Sequence, residues 1–428
     1  MFIVILLIST LISMVIIGFL ISNMSLKNKF KIVADEYKLE LKQKSIFHKP
    51  QVIGKIDGIN LSFMITPVYT LNKQKSLGLV LDAQPEKRIP FNICITNETF
   101  STKLEALRGR PDIKTGDLEF DNAFYIKGEE AGVVALLNNK TRSIIRKLVS
   151  TMQQLEITPE YIRIYMAPSG ETGNTLVLKV KLICDLINEI LRERSYKKLA
   201  VYNIRHDFLK SVRKRNLELL INHYKKSLEM IEDILLECLE DPSWEVRIIA
   251  APFLGDEGKK HLFKLIEQAP LQAKIEASKI LVQLHNTECI PVLKKAFRRN
   301  NSIKLKVQIL RAFKSCSDTS LNDFLLRRIE DNSKQVQLEA VSALGTCGKL
   351  NAVGHLNNIV KRFMNNPSLK KAANQSIAEI HARLAKGVEA GRLSVSERET
   401  GRGSLSIADD TTSDGALSLP EDRQKRKS

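Results

Sequence analysis

The sequence predicts a single transmembrane helix, then a small α+β domain, then an all-α solenoid with a disordered C-terminal tail. Three observations carry that prediction: an uncharged apolar run at the N-terminus, a change from helical spacing to alternation after Pro50, and a phrase that returns about every thirty residues from Asp207 onwards. They divide the chain into a span at 1–22, a basic juxtamembrane helix or linker at 23–50, the α+β domain at 51–194, the repeats at 195–386 and the tail at 387–428. At 428 residues, each folded part can bury a core of its own.

The span is "FIVILLISTLISMVIIGFLI", Phe2 to Ile21, with no charge, Pro, Asn or Gln. Twenty such residues at about 1.5 Å of rise each match a hydrocarbon core roughly 30 Å thick. A cleaved signal peptide would need a basic n-region, a shorter apolar run and a small-residue cleavage site, none of which the sequence offers. Lys27, Lys29, Lys31, Lys38, Lys42 and Lys44 all follow the span, so the positive-inside rule puts the N-terminus outside and the bulk of the chain in the cytoplasm, at the inner membrane. All six can attract anionic lipid headgroups at about 1 kcal/mol each near the surface, with Lys27, Lys29 and Lys31 singled out as candidate contacts. Phe30, Val33, Tyr37 and Leu41 recur at helical steps, which reads as a rigid stalk or a short self-associating coil.

Alternation begins in "IDGINLSFMIT", where Ile59, Leu61, Phe63 and Ile65 share a face and Asp57-Gly58 signals a hairpin. "LGLVLDA" and "FNICITN" read as further strands, and "YIRIYMAPSGETGNTLVLKV" as strand, Gly-rich hairpin, strand. Helices are expected at about 129–152 and 180–193, which together make a small α+β domain. Within it, "TGDLEFDNAFYIKG" offers Phe120, Phe124 and Ile126 as buried anchors, with Asp117, Glu119 and Asp121 clustered as though for a cation. Calcium-loop spacing is absent, so Asp117 is read as capping a turn and Asp121 as solvated or salt-bridged. The phrase weakly resembles one in bacterial membrane-anchored proteins of uncharacterised function. "PSGETGN" lacks the Lys-Ser/Thr of a phosphate loop and is read as joining two strands.

The repeated phrase is clearest as "DPSWEVRIIAAPFLG", in which Asp241 caps, Pro242 takes the first turn, and Val246, Ala250 and Leu254 fall on one face before Gly255. It returns as Asp331, Val336, Ala340, Leu344 and Gly345, and earlier as Asp207, Val212, Arg213, Asn216 and Leu220. Weaker copies lead from Ala273, Leu305 and Leu369, and second amphipathic helices such as "IPVLKKAFRR" lie between them. Two helices in a repeat of about thirty residues are a solenoid pattern. On Asp241, Pro242, Val246, Arg247, Ala250, Leu254 and Gly255 the array resembles short bacterial HEAT-like repeats, a class also seen in phycobilisome lyases, and the resemblance covers about 190 residues. It implies a HEAT-like solenoid whose signature residues are architectural: Ala lets helices approach, Gly ends the first helix, and Arg247 reaches a neighbouring Asp or a carbonyl.

What the array binds depends on its surface. The chain has 66 Lys+Arg against 48 Asp+Glu, a net charge of +18, which favours anionic partners. Basic patches fall at Lys210, Arg213, Lys214 and Arg215, and at Lys294, Lys295, Arg298, Arg299, Lys304 and Lys306. No aromatic platform accompanies them, which argues against nucleic acid. Trp244 is a candidate partner contact. In the tail, three Gly-x-Leu-Ser copies carry the apolar pairs Leu393 and Val395, Leu405 and Ile407, and Leu417 and Leu419 around Ser394, Ser406 and Ser418, read either as short strands that add to a partner's sheet edge or as plain sequence duplication. Six scattered cysteines show no metal-ligand spacing, and are expected as buried, reduced thiols. Nucleophile elbows, metalloprotease helices, dinucleotide loops and kinase signatures are all missing from the sequence. The resulting expectation is a membrane-tethered, non-enzymatic scaffold or adaptor for a protein partner, with no cofactor or metal. Its rivals are a lyase-related HEAT-type enzyme acting on a chromophore or protein, and a HEAT-like nucleic-acid binder.

Overall fold

The computed structural model describes residues 2–69, 75–98, 112–149, 154–167, 170–284, 288–362 and 366–398. The chain forms two compact units, residues 1–253 and 254–428.

In the first unit a single helix, α1 (Phe2–Tyr37), runs through both the apolar span and the basic segment after it. It is 36 residues long, about 54 Å, and is long and apolar enough to cross a membrane. From Ile8 to Ile21 its side chains are exposed almost all round; from Asn23 onwards one stripe, Asn23, Leu26, Phe30, Val33 and Ala34, is buried. The expected stalk is therefore no stalk: the stripe is apolar because it packs on the domain, and the helix stops at Tyr37, leaving Leu41 in a strand.

Among the described residues eight strands follow: β1 (Glu40–Lys42), β2 (Gln51–Ile56), β3 (Ile59–Tyr69), β4 (Lys75–Pro85), β5 (Ile93–Asn97), β6 (Phe124–Gly128), β7 (Gln154–Ile157) and β8 (Ile162–Met166). They form one antiparallel sheet in the order β1-β2-β3-β4-β8-β7-β5-β6. Asp57 and Gly58 have φ of 47° and 80°, the two left-handed residues of the tight turn that joins β2 to β3. Ile59, Leu61 and Phe63 then point into the core at 2% exposure or less.

Among the described residues, the further helices of this unit are α2 (Leu118–Ala123), α3 (Glu130–Leu136), α4 (Asn139–Val149), α5 (Gly173–Leu191), α6 (Tyr196–His206), α7 (Lys210–His223), α8 (Glu232–Cys238) and α9 (Trp244–Ala250). Helix α5 corrects the sequence reading of a hairpin and a strand after β8. "TLVLKV" looks strand-like because its β-branched and leucine residues are dense, yet Leu176, Val180, Ile183, Ile187 and Ile190 are all buried at helical spacing. Thr172 caps the helix in a reciprocal pair with Thr175, and Gly173 lets Ile32 of α1 come so close that a Cβ there would lie 2.4 Å from its Cδ1.

The second unit is helical: α10 (Gly255–Gln268), α11 (Leu271–Gln283), α12 (Cys289–Arg299), α13 (Ile303–Cys316), α14 (Asn322–Leu326), α15 (Lys334–Cys347), α16 (Leu350–Arg362) and α17 (Pro367–Arg398). Helices α11, α13, α15 and α17 pack in series, each on the next. Against that row lie α10, α12, α14 and α16. Helix α17 runs past the expected boundary at 386, so Leu393 and Ser394 fall within a helix. Leu405, Ser406, Leu417 and Ser418 lie outside the described residues.

Candidate functional site

Two places in the first unit gather the residues singled out in the sequence. One is the point where α1 enters the domain. Asn23, the first residue of the buried stripe, is 4% exposed and donates from Nδ2 to the Ile46 carbonyl at 3.1 Å. Further along, Phe30 meets Phe63 of β3 with ring centroids 5.7 Å apart, and the Tyr37 hydroxyl donates to the Val177 carbonyl of α5 at 3.0 Å. The helix and the domain thus share one core, and full burial of Phe30 and Val33 stabilises the joint by roughly 1.5–3 kcal/mol for each side chain. Lys27 and Lys31 are exposed and Lys29 is half-buried.

The other is the acidic phrase, in which Asp117 and Asp121 are taken up by internal hydrogen bonds while Glu119 stays exposed to water, 3.7 Å from Arg146. Asp117 caps α2 by accepting from the Phe120 N–H, and its two oxygens also take the Arg142 Nε at 2.8 Å and Arg146 at 2.6 and 2.7 Å. Burial pushes its carboxyl up, but Arg146, the Phe120 N–H and Arg142 together outweigh that and hold it below the usual carboxylate range. Asp121 is buried, not solvated, and accepts from the Thr115 N–H, the Thr115 hydroxyl and the Gly116 N–H. A loop of backbone donors, which no residue-type pattern announces, takes the place of the expected salt bridge or solvent. Phe120, Phe124 and Ile126 are fully buried.

Arg142 extends this network into the helices. It is 0% exposed, donates to the Leu137 carbonyl at 2.7 Å, and reaches the Asp207 carboxylate at 2.9 Å. Leu137 and Asn138 break the single helix expected over 129–152 into α3 and α4, and the Leu137 carbonyl released by the break is the one Arg142 takes. Arg213 donates to the Asp207 carbonyl at 2.9 Å and grips Asp241 through Nε and one terminal nitrogen at 2.8 and 2.9 Å. Its hydrogen bonds with Asp241 raise the guanidinium's affinity for its proton. Charges therefore alternate from Arg146 through Asp117, Arg142, Asp207 and Arg213 to Asp241, inside one compact unit.

The repeat residues take up related but altered duties. Asp207, Asp241 and Asp331 each accept from the N–H two residues on, of Leu209, Ser243 and Ser333 at 3.0, 2.7 and 3.1 Å. The Asp is thus an Asx turn before the cap rather than the cap itself, and Pro242 lies outside the helix. At α9 the cap is Ser243, which accepts from the Glu245 N–H. Val212, Val246, Val336, Ala250, Ala340 and Leu344 are fully buried and Leu254 is half-buried. Pro252 cuts α9 short into a 3-10 turn, whereas α15 has no proline and runs for 14 residues. Gly255, with φ of 49°, does mark a helix boundary; Gly345 does not, since it lies inside α15 against Ser376 and Glu379. The neighbour-Asp contact expected of Arg247 is made instead by Arg213, and the Arg247 Nε is buried with no hydrogen-bond partner. In sequence, the copy after Arg247 carries Gln268 where its predecessors carry Asp.

All four residues of the first basic patch and three of the six in the second meet other groups. Lys210, Arg213, Lys214 and Arg215 each pair with a carboxylate, of Glu245, Asp241, Glu218 and Glu130 respectively. In the second unit Lys295 pairs with Glu267, while Lys294 and Lys306 lie over the rings of Phe324 and Phe297. Trp244 is half-buried at the first turn of α9.

No protein-family model matches the chain, and no curated protein matches it. Among solved structures it is similar to the crystal structure of the mycobacterial trehalose monomycolate transport factor A, at 9% identity over 39% of this chain and 95% of that one, with a TM-score of 0.27.

Proposed function

We propose that the chain is a membrane-tethered, non-enzymatic scaffold that holds a HEAT-like helical array close to the cytoplasmic face of a bilayer for a protein partner. The observation that carries this reading is α1: one unbroken helix whose first part is bare and apolar and whose second part is core to the α+β domain. Cleaving it as a signal peptide would mean cutting inside a helix beside its packed stretch, which favours a retained anchor. Because burial begins at Asn23, the domain sits directly on the end of the span, with no flexible spacer to let it roam. Two rows of packed helices in the second unit fit a solenoid surface of the kind that binds other macromolecules. The engagement of Asp117 and Asp121 in internal hydrogen bonds favours architecture over chemistry in the acidic phrase.

The test is proximity labelling in cells, with the labelling enzyme fused after Ser428 of the full chain. A discrete set of cytoplasmic proteins is expected, lost when the fusion is placed instead on a chain ending at residue 253. Labelling confined to the far side of the membrane would overturn the orientation, and the same proteins labelled by both chains would overturn the role of the helical array.

A further inference from the structure

The turn after β1 is built in a way that neither the core nor the helical array explains. The Ser45 carbonyl accepts from the His48 N–H at 3.0 Å, the Ser45 hydroxyl meets the His48 Nδ1 at 2.7 Å, and the Gln43 side chain donates to the His48 carbonyl at 2.8 Å. These bonds hold Ile46 and Phe47 at the tip of a tight turn, 63% and 58% exposed. Two large apolar side chains presented together to water by a pinned turn carry a standing hydrophobic cost, roughly 25 cal/mol for every Å² left exposed.

Position supplies the missing occupant. The Ile46 carbonyl is bonded to Asn23, two residues beyond Ile21, so the tip lies level with the end of the apolar span. Beside the turn, an open groove is lined by Glu40, Lys42, Gln43, Lys44, His48 and Lys49, among others. Glu40 pairs with Lys42, and among the described residues no carboxylate lies within salt-bridge distance of Lys44 or Lys49. Burial pushes the Lys49 ammonium's proton affinity down, as befits a cation half withdrawn from water with no anion to answer it.

We propose that the Ser45–His48 turn is a second membrane contact, which seats Ile46 and Phe47 in the bilayer interface while Lys44 and Lys49 bind the phosphate of an anionic lipid headgroup. The proposal rests on the anchor reading of α1 and adds a fixed orientation: a helix alone lets a domain spin about its axis, whereas a helix plus a wedge and a charged groove do not. These lysines differ from the helix lysines 27, 29 and 31, being set in a groove on the domain.

The test uses the full chain reconstituted in vesicles, with Trp244→Phe removing the native indole and Phe47→Trp placing the reporter on the tip. A blue-shifted emission is expected, quenched by lipids brominated near the headgroup. Native mass spectrometry of the Lys44→Gln/Lys49→Gln variant is expected to show retained phosphatidylglycerol reduced about five-fold for each lysine removed, with phosphatidylcholine unchanged. Water-like, unquenched emission from a chain that stays in the vesicles through an alkaline wash would overturn the wedge and leave the anchor standing. Release by that wash would overturn the anchor and the wedge with it. If glycerol phosphate in solution displaces the retained lipid, the groove is a site for soluble anions, and the headgroup assignment fails.

Discussion

Arg142 and Arg311 hold carboxylates in the two units in opposite ways. In the first unit Arg142 is fully buried between Asp117 and Asp207, with every contact supplied by the protein. In the second, Arg311 reaches Glu339 at 2.7 Å with more than half of the arginine still in water, and Lys295 reaches Glu267 in the same exposed manner. A buried cation has lost its hydration and depends on its partners, so the network around Arg142 fixes geometry as much as it adds stability. Surface pairs can be broken at little cost because water replaces the partner. The second unit's cohesion comes instead from apolar helix faces, such as Leu305, Ile309 and Phe313 of α13, all fully buried.

Breaking the comparison at its strongest point gives the largest effect. Arg142→Ala leaves the Asp117 and Asp207 carboxylates facing a buried gap and is expected to destabilise the first unit by about 3–5 kcal/mol. Hydrogen exchange in urea should show lost protection over residues 112–149 and 196–223, with α13 and α15 unchanged. Lost protection in α13 and α15 as well would show that the effect is not confined to the first unit. A smaller effect comes from acid. Because the folded Asp117 carboxyl lies below its ordinary value of 3.8, its contribution is present in full above that value and is lost as pH falls through the lower, folded one. Acid titration followed by near-ultraviolet circular dichroism should therefore show this part of the first unit's stability intact at pH 5 and declining only below about 4, and Asp117→Asn should remove that share of the acid dependence while the shares of Glu189 and Glu245, also held below their ordinary values, remain. The smallest effect belongs to Arg311→Ala, expected to cost under about 1 kcal/mol and to be masked further by salt. A cost comparable to that of Arg142→Ala would erase the distinction.

Several elements were legible because one short-range signal decided them. Twenty consecutive uncharged and mostly apolar residues give a helix long and apolar enough to cross a membrane, and Asp57-Gly58 admits the left-handed pair of a tight hairpin. The chain around α5 was not legible, since "NTLVLKV" suits either a strand or a buried helix at that length. What chose the helix was the Thr172 cap and the close approach of Ile32 at Gly173, a contact about 140 residues away in sequence. Arg142 carried no signal at all, being one basic residue in a mixed helix. Cysteines read as scattered also influence one another: Cys289 opens α12, Cys316 closes α13 half-buried, and the Cys289 thiol holds the Cys316 thiol below its ordinary proton affinity.

Legible in the residues alone were the long apolar N-terminal helix, the lysines that follow it, the buried stripes of the later helices and the alternating strands. Each follows from local periodicity, which is written into consecutive residues. Only the tertiary structure decided that the stripe after the span is core and not stalk, that the acidic phrase is closed by Arg142, Arg146 and backbone N–H groups, and that Ile46 is tied to Asn23. The physical reason is common to all three: a side chain's partner across the fold sets its burial and its charge state, and sequence spacing carries no record of which distant group that partner will be.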